Sequence, residues 1–238
     1  MKTKHTKATH KNIMVLTPTH NVKDYAARHL VAHTSTAFPV EKRGGPYWWC
    51  VAANSREFNW SPYIDATDAG IRCIHFSHLS DEYYGCEGAI HRRVVYTMNQ
   101  LRECFLASNK RWFLSLEADV LVTASDINAL ITRVNEGRLV CLHANCYAGF
   151  NTSPVFCRTT RITLGCTLIH RSIIEKYEFR YEPEKLAAFH DAFLITDMVR
   201  DGVPAHYDPN IKPKHVSRDR GPDGKLRRGW DKLPISER

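Results

Sequence analysis

Two carboxylates stand one residue apart in the apolar stretch Lys110–Val122. Glu117 and Asp119 interrupt a run of Trp, Phe, Leu and Val residues that is typical of a strand buried on both faces of a parallel sheet. Residues i and i+2 of a strand share a face, so we expect both acids to point to one spot where the strand ends. Two acids placed there repel each other and lose hydration unless a cation or a proton compensates them.

A divalent metal with a phosphate-bearing ligand would supply that compensation, because hard cations prefer oxygen donors. Ligands of open α/β sheets also bind outside the carboxyl ends of the strands. The alternative is a solvated strand end, at which the spacing of Glu117 and Asp119 has no function. The two acids alone favour neither the metal site nor the solvated strand end. The surrounding sequence is therefore needed to distinguish these two interpretations.

Strands and helices alternate along the chain and predict the frame that carries these acids. Apolar patterns predict strands over Asn12–Thr17, Tyr47–Ala53, Ala69–Phe76, Leu139–His143 and Ile162–His170, and helices over Asp24–His33, Glu87–Leu106, Arg171–Tyr177 and Asp191–Arg200, with Ser125 as the N-cap of a further helix. Such alternation favours a mainly parallel sheet with helices on both faces. The 238 residues are enough for one substantial core, so the fold class is a single α/β domain.

Basic residues are concentrated at the two ends of a chain whose formal net charge is +8. Residues 1–12 hold four lysines and no acid, and Asn210–Arg238 hold nine Lys/Arg against four Asp/Glu. We therefore divide the chain into a basic N-terminal tail, 1–11, a domain, 12–216, and a basic C-terminal tail, 217–238. Such tails are commonly solvated; the alternative is a polyanionic partner, either DNA or an anionic membrane surface.

Cysteine usage and hydropathy predict a cytoplasmic protein, in the host cytoplasm if the source is viral. The eight cysteines include no C-x-x-C pair and are interpreted as reduced thiols. No stretch approaches the roughly 20 apolar residues of a membrane span, and the basic N-terminus lacks the apolar segment of a secretory signal.

Four segments, taken in order, resemble the GT-A fold glycosyltransferases, particularly the family-2-like group that uses nucleotide-diphosphate sugars. They are IMVLTPTHN, FLSLEADVLV, TLGCTLIHRSIIEKYEFR and FHDAFLITDMVRDGVPAHYDP. The resemblance covers roughly residues 12–216. It implies a GT-A (Rossmann-like) fold and a metal-dependent enzyme that moves a hexosyl or pentosyl group from a nucleotide-diphosphate sugar to an acceptor hydroxyl, with Mn²⁺ or Mg²⁺ as cofactor.

The resemblance also assigns donor-binding roles residue by residue. Thr17, Thr19 and Asn21 fall on the nucleotide-contacting strand and loop. Asn54 stands at the end of the second strand, where the family usually has acids that bind the nucleobase. Gly165 lies on the strand that, with the short helix after it, lines the donor and acceptor pocket.

Asp119 is implied as the direct metal ligand and Glu117 as a partner that contacts the ribose or a metal-bound water. His215 falls where related enzymes place a late histidine as another ligand, although it is equally a residue of a basic tail. Arg92, or its neighbour Arg93, is expected to reach the diphosphate because a planar cation suits phosphate; either is equally a surface residue.

Asp191 falls at the family's general-base position, and His190 replaces the first acid of that motif. The helix dipole favours the ionised form of Asp191, and a carboxylate there would take the proton of the acceptor hydroxyl in an inverting transfer. The alternative is that Asp191 only caps its helix.

The acceptor is predicted to be a glycan or lipid-linked saccharide, or a hydroxymethylated base in DNA, as for some phage glycosyltransferases. Two other classes stay open for the whole chain. One is a non-catalytic nucleic-acid-binding domain, and the other is a sugar nucleotidyltransferase.

Overall fold

The computed structural model describes residues 7–19, 24–53, 70–75, 89–136, 141–143, 164–182, 190–203, 205–207, 211, 213–215, 219–220 and 226–227. The strands are β1 (Ile13–Thr19), β2 (Trp49–Ala53), β3 (Ile71–His75), β4 (Trp112–Leu116), β5 (Val120–Leu121), β6 (Cys141–His143), β7 (Cys166–His170), β8 (Ala205–Tyr207), β9 (Lys214–His215), β10 (Asp219–Arg220) and β11 (Leu226–Arg227). The α-helices are α1 (Asp24–Ala37), α2 (Ala89–Leu106), α3 (Ala124–Asn135), α4 (Arg171–Lys176) and α5 (His190–Arg200), and His10–Asn12 and Val40–Lys42 form 3₁₀ turns.

Seven strands form one mixed, mostly parallel sheet in the order β3-β2-β1-β4-β7-β6-β8. Strands β3, β2, β1 and β4 are parallel to one another, and β6 is parallel to β8. Strand β7 is antiparallel to both of its neighbours, β4 and β6. The predicted α/β class is therefore confirmed, with a single reversed strand inside the sheet.

The two edges of this sheet are named here because the site depends on them. The carboxyl edge is where β1, β2, β3, β4 and β6 end, and the amino edge is where they begin. Because β7 is reversed, it begins at the carboxyl edge opposite Leu116 and ends at the amino edge opposite Trp112.

Alternate side chains of the strands bury two apolar layers, one on each face. Val15, Trp49 and Leu114 lie in the layer that α1 and α3 cover. Leu16 and Phe113 lie in the layer that α2, α4 and α5 cover. Strands β1 and β4 are buried on both faces, which explains the continuous apolar runs in their sequences.

Helix α3 begins two residues earlier than the sequence predicted. Its N-cap is Thr123 rather than Ser125, and the Thr123 hydroxyl accepts a hydrogen bond from the Asp126 amide at 3.2 Å. The Asp126 carboxylate in turn accepts the Thr123 amide at 2.8 Å. This reciprocal capping box satisfies two backbone amides at the start of the helix and so fixes Thr123 as its cap.

The predicted boundary between tail and domain at residue 12 is too late. Ala8 is 1% exposed, and its amide and carbonyl are both bonded to the Asn135 side chain of α3, at 2.7 and 2.8 Å. Residues 7–11 therefore belong to the packed domain. In the predicted C-terminal tail, β10 and β11 pair with each other in an antiparallel arrangement.

Arg171 joins three elements at the amino edge. Its guanidinium donates to the carbonyls of Leu106, Ser108 and Lys110 at 2.7, 2.9 and 3.1 Å. A planar cation with five donors suits a cluster of carbonyls at a helix C-terminus. Arg171 therefore connects the end of α2 and the start of β4 to the start of α4.

We expect Arg171→Met to lower the free energy of unfolding by about 2–3 kcal/mol, because half-buried carbonyls lose a charged donor. Arg171→Lys should restore only part of the loss, since an ammonium cannot reproduce the planar fork. Urea denaturation measures both. Arg111→Met, at an exposed neighbouring position, is the matched control and should change stability by less than about 0.5 kcal/mol; an equal loss in the control would contradict this role.

Candidate active site at the carboxyl edge

Glu117 and Asp119 lie in a tight turn and not within a strand, so the expected same-face strand geometry is wrong. Strand β4 ends at Leu116, and the Val120 amide donates to the Glu117 carbonyl at 3.1 Å. The turn forms because its polar side chains stop the apolar run, and Val120–Leu121 then resume it as β5. Both acids are half-buried, and they stand at the carboxyl edge as the sequence predicted.

Gly165 fixes the start of this turn. The Glu117 amide donates to the Gly165 carbonyl at 2.9 Å, and Gly165 is buried at the beginning of β7. The predicted pocket glycine is therefore next to the acids, where it contacts the Glu117 backbone.

His215 is brought beside the same turn by a separate strand. Strand β9 pairs with β5 in an antiparallel arrangement that places His215 opposite Val120. Directly opposed residues have Cα atoms roughly 5 Å apart. The backbone of His215 is thus next to the residue that follows Asp119, while its side chain lies outside the described part of the structure.

The donors at this turn fit a hard divalent cation. Two half-buried carboxylates supply oxygen, which Mg²⁺ and Mn²⁺ prefer, and Mg²⁺ typically takes only one or two carboxylates together with phosphate oxygens and water. Among the side chains that the structure describes, no group of three or more His, Cys, Asp or Glu is placed to hold a metal. Protein carboxylates and a phosphate-bearing ligand would have to share the coordination.

Helix α5 runs from the carboxyl edge to the amino edge. Beyond its C-terminal end, Asp201 accepts hydrogen bonds from Lys176 at 2.7 Å and from the Tyr177 hydroxyl at 2.8 Å. Lys176 ends α4, which follows the amino-edge residue His170. The first turn of α5 therefore lies toward the carboxyl edge, and Asp191 is its second residue.

An ion pair at the buried Asp197 carboxylate, which the sequence analysis missed, holds α5 in place, although the Arg180 side chain itself is 40% exposed. Arg180 donates to both oxygens of Asp197, from Nε at 3.1 Å and from Nη2 at 2.9 Å. Asp197 is 7% exposed and also meets Arg200 at 3.1 Å, while the Arg180 guanidinium lies over the Phe193 ring at 5.0 Å. The available signal was an acid among the buried positions of α5, since a buried carboxylate needs a cation.

The segment 177–182 carries the chain back along α2 toward the carboxyl edge. Arg102 Nε donates to the Tyr177 carbonyl at 3.2 Å. One turn further along, the Asn99 side chain bonds both the amide and the carbonyl of Phe179, at 3.1 and 2.8 Å. At the N-terminal end of α2, His91 stacks on Tyr181 with ring centroids 5.2 Å apart.

Helix α4, by contrast, does not reach the acids. It starts at Arg171, whose amide donates to the Arg111 carbonyl at the amino edge at 2.9 Å. The expectation that the short helix after the glycine strand lines the pocket is therefore wrong, because the reversed β7 delivers it to the opposite edge.

The other predicted donor residues differ in where they lie. Thr17 is fully buried and its hydroxyl accepts the Trp49 indole N–H at 2.9 Å, so its side chain is part of the core. Thr19 ends β1 at the carboxyl edge and is 4% exposed. Arg92 is exposed in the first turn of α2, whereas Arg93 is buried. Asn21, Asn54 and the side chain of Asp191 lie outside the described residues.

Two solved structures share the fold of this chain. A crystal structure of S. aureus TarS, a glycosyltransferase, matches with a TM-score of 0.59 at 10% identity, over 87% of this chain and 37% of TarS. A structure of TarS 1–349 matches with a TM-score of 0.56 at 9% identity, over 86% of this chain and 60% of that one. The chain thus has a GT-A-like α/β fold and spans 37% and 60% of these two structures.

Two weaker matches were also found, and neither establishes a shared fold. A197 from STIV has a TM-score of 0.46 at 12% identity, over 91% of this chain and 93% of that one. A cytidylyltransferase from Leptospira borgpetersenii serovar Hardjo-bovis has a TM-score of 0.45 at 12% identity, over 84% of this chain and 77% of that one.

No family model and no curated protein matches the sequence. Among the helices that the structure describes, none has the length and apolarity needed to cross a membrane.

Asp201→Asn should destabilise the protein at neutral pH and have less effect in acid. Hydrogen bonds from Lys176, Tyr177 and Arg200 hold the pKa of Asp201 well below its usual range. A lowered folded-state pKa stabilises the fold above the unfolded-state pKa, about 3.9, and this contribution disappears as the pH falls through the folded-state pKa. Melting temperatures of both proteins between pH 7 and pH 2 test this, because the loss begins only below the unfolded-state pKa of about 3.9. Glu41→Gln, at an exposed position, is the control, and a constant difference across the range would contradict the prediction.

Proposed function

We propose that this chain is a metal-dependent glycosyltransferase of the family-2-like GT-A group. It would transfer a sugar from a nucleotide-diphosphate donor to an acceptor hydroxyl. The observation that supports the proposal is that three chain segments lie at or toward the carboxyl edge, the first two of them side by side. They are the acidic turn Glu117–Asp119, the strand residue His215 opposite Val120, and the first turn of α5 with Asp191.

In this proposal the acidic turn binds the donor. Asp119 and His215 would hold Mn²⁺ or Mg²⁺, and Glu117 would contact the ribose or a metal-bound water. The cation, when bound, supplies positive charge that stabilises the leaving diphosphate. Arg92 would approach the same diphosphate from the first turn of α2, where the positive end of the helix dipole also favours an anion.

Thr19 would contact the nucleotide at the end of β1, together with Asn21 and Asn54. Thr17 is not assigned a direct contact with the nucleotide, because its hydroxyl is already bonded to Trp49 in the core. Gly165 would act through the backbone, since its carbonyl holds the Glu117 amide and so sets where the acidic turn begins.

Asp191 would activate the acceptor. Its carboxylate would accept the hydroxyl proton as the new glycosidic bond forms, while the diphosphate leaves on the opposite face of the sugar. This single displacement inverts the anomeric carbon. The ion pair Arg180–Asp197 supports the assignment, because it fixes α5 six residues from Asp191 by two hydrogen bonds.

Either acceptor class from the sequence analysis presents a hydroxyl to Asp191. A glycan or lipid-linked saccharide offers a ring hydroxyl, and a hydroxymethylated base in DNA offers a primary alcohol. A panel of nucleotide sugars with each acceptor, followed by mass spectrometry of the product, separates the two classes.

Asp119→Asn should reduce turnover of the nucleotide sugar by roughly 10²–10³-fold, because the leaving diphosphate loses its charge stabilisation. The assay follows release of nucleoside diphosphate from a donor panel in the presence of Mn²⁺. Glu136→Gln, an exposed acid at the far end of α3, is the matched control and should turn over donor at the wild-type rate.

Two results would overturn this assignment. Unchanged turnover in Asp119→Asn, or in excess chelator, would remove the metal from the mechanism. Release of pyrophosphate in place of nucleoside diphosphate would identify a nucleotidyltransferase.

Asp191→Asn should leave donor binding intact and reduce sugar transfer by roughly 10²–10⁴-fold, the usual contribution of a general base. Calorimetry with the nucleoside diphosphate and Mn²⁺ measures binding, and product formation measures transfer. Thr196→Ala, exposed on the same helix, should change neither. Equal loss of binding and transfer in Asp191→Asn would show that this residue only caps α5.

A further inference from the structure

A group of exposed basic residues lies at the amino edge, opposite the candidate active site. Lys7, Lys11, Lys42 and Arg111 are exposed, and backbone contacts bring their segments together. The Arg111 amide donates to the Asn12 carbonyl at 2.9 Å. We call this surface, formed by residues 7–12, 38–48 and 110–111, the basic edge.

The Lys110 side chain connects the other two segments of the basic edge from the interior of the protein. Its buried ammonium donates to the carbonyls of Lys11, at 2.8 Å, and Gly44. A Cβ on Gly44 would clash with the Lys11 carbonyl, so only glycine allows so close an approach at that position. The exposed lysines of the basic edge are therefore held on a fixed backbone.

Lys42 lies near the half-buried His10 ring. Burial and, second, the charge of Lys42 lower the pKa of His10. The His10 ring contacts the Phe38 ring with centroids 5.5 Å apart. Glu41 is the single acid in the three segments of the basic edge, against six Lys/Arg.

Two large apolar side chains of the segment 38–48 are exposed. Val40 is 71% exposed and Tyr47 is 47% exposed, and no other large hydrophobic among the described residues is classed as exposed. Their loop is anchored beneath them, because Arg43 stacks over the Trp48 ring at 4.3 Å and bonds the Ser35 carbonyl at 3.2 Å. The chain thus holds apolar groups in solvent on a rigid support.

We propose that the basic edge docks this protein on an anionic lipid bilayer, with Val40 and Tyr47 entering the interface between exposed lysines. Lysines and arginines beside a bilayer are attracted to anionic headgroups, and apolar side chains gain by leaving water for the acyl boundary. The inference does not depend on the proposed function, since none of these residues belongs to the candidate site.

The exposed aliphatic group favours lipid over nucleic acid as the partner. Nucleic acid would also attract the basic residues, and a tyrosine can stack on a base. Val40 can neither stack nor bond a phosphate, so its 71% exposure on a nucleic-acid-binding surface would have no function. A bilayer interface accommodates both side chains.

Docking in this way would orient the enzyme. Strand β4 spans the five residues between the two edges, roughly 16 Å at about 3.3 Å per residue. The acidic turn would therefore face away from the bilayer, toward acceptors presented from the aqueous side.

Co-sedimentation of the full chain with lipid vesicles tests this inference. Vesicles with about 30% phosphatidylglycerol should bind the protein, and pure phosphatidylcholine vesicles should not, because the attraction requires anionic lipid. Lys11→Glu/Lys42→Glu should lower the partition coefficient by at least about tenfold. The single change Lys42→Glu should also weaken binding, whereas Arg28→Glu, which reverses one charge at an exposed position of α1 outside the basic edge, should bind as the wild type does.

A second variant tests whether the exposed apolar side chains contribute to vesicle binding. Val40→Ser/Tyr47→Ser should weaken vesicle binding with an unchanged melting temperature, because both side chains are exposed. Three results would overturn the proposal: no binding to anionic vesicles, an equal loss in the charge control, or unaltered binding of the apolar variant. Binding of duplex DNA through Lys11 and Lys42 without vesicle binding would assign the basic edge to nucleic acid.

Discussion

The antiparallel pairing of β7 with β4 is the constraint on which the rest of the arrangement depends. It places Gly165 beside the acidic turn at one edge of the sheet and His170 at the other edge. The chain then has to return, and it does so along α2, bonded to Arg102 and Asn99. Helix α5 can begin toward the carboxyl edge only because this return has been made.

Charged side chains that fix the path from β7 to α5 are compensated by their partners. The Asp197 carboxylate is buried but meets Arg180 and Arg200, and the Arg171 guanidinium is spread over several carbonyls. Removing one partner of such a group costs more than the interaction contributes, because the remaining charge stays desolvated. These contacts therefore specify one position for α5, and with it one position for Asp191.

The sequence predicted the parts of the fold that periodicity encodes. The apolar runs of β1 and β4 and the amphipathic stripe of α2 were placed correctly, because hydrophobic period reports burial. The reversal of β7 was not predictable, since strand direction depends on pairing partners far away in the chain. The start of α3 was misplaced because Thr123 and Asp126 bond reciprocally, which residue preference at Ser125 could not reveal.

The candidate site was predictable in its acids but less so in its geometry. Glu117 and Asp119 stood out because carboxylates are rare in a buried run. The sequence did not reveal that the strand after them, β5, pairs with β9 across nearly a hundred residues of chain. Thr17 fitted a family pattern but is bonded to Trp49, a contact that local sequence does not encode. The pair Arg180–Asp197 was missed for the same reason, because the two residues are distant in sequence and local patterns do not encode their contact.

The length of strand β7 also sets the distance between two contacts at opposite edges of the sheet. Its five residues set the distance from the Gly165 carbonyl, which holds the acidic turn, to Arg171, which holds the end of α2. Deleting one residue would shorten that distance by roughly 3.3 Å and exchange the faces of the side chains beyond it. The length of this strand is therefore constrained in addition to its side chains, four of which are buried.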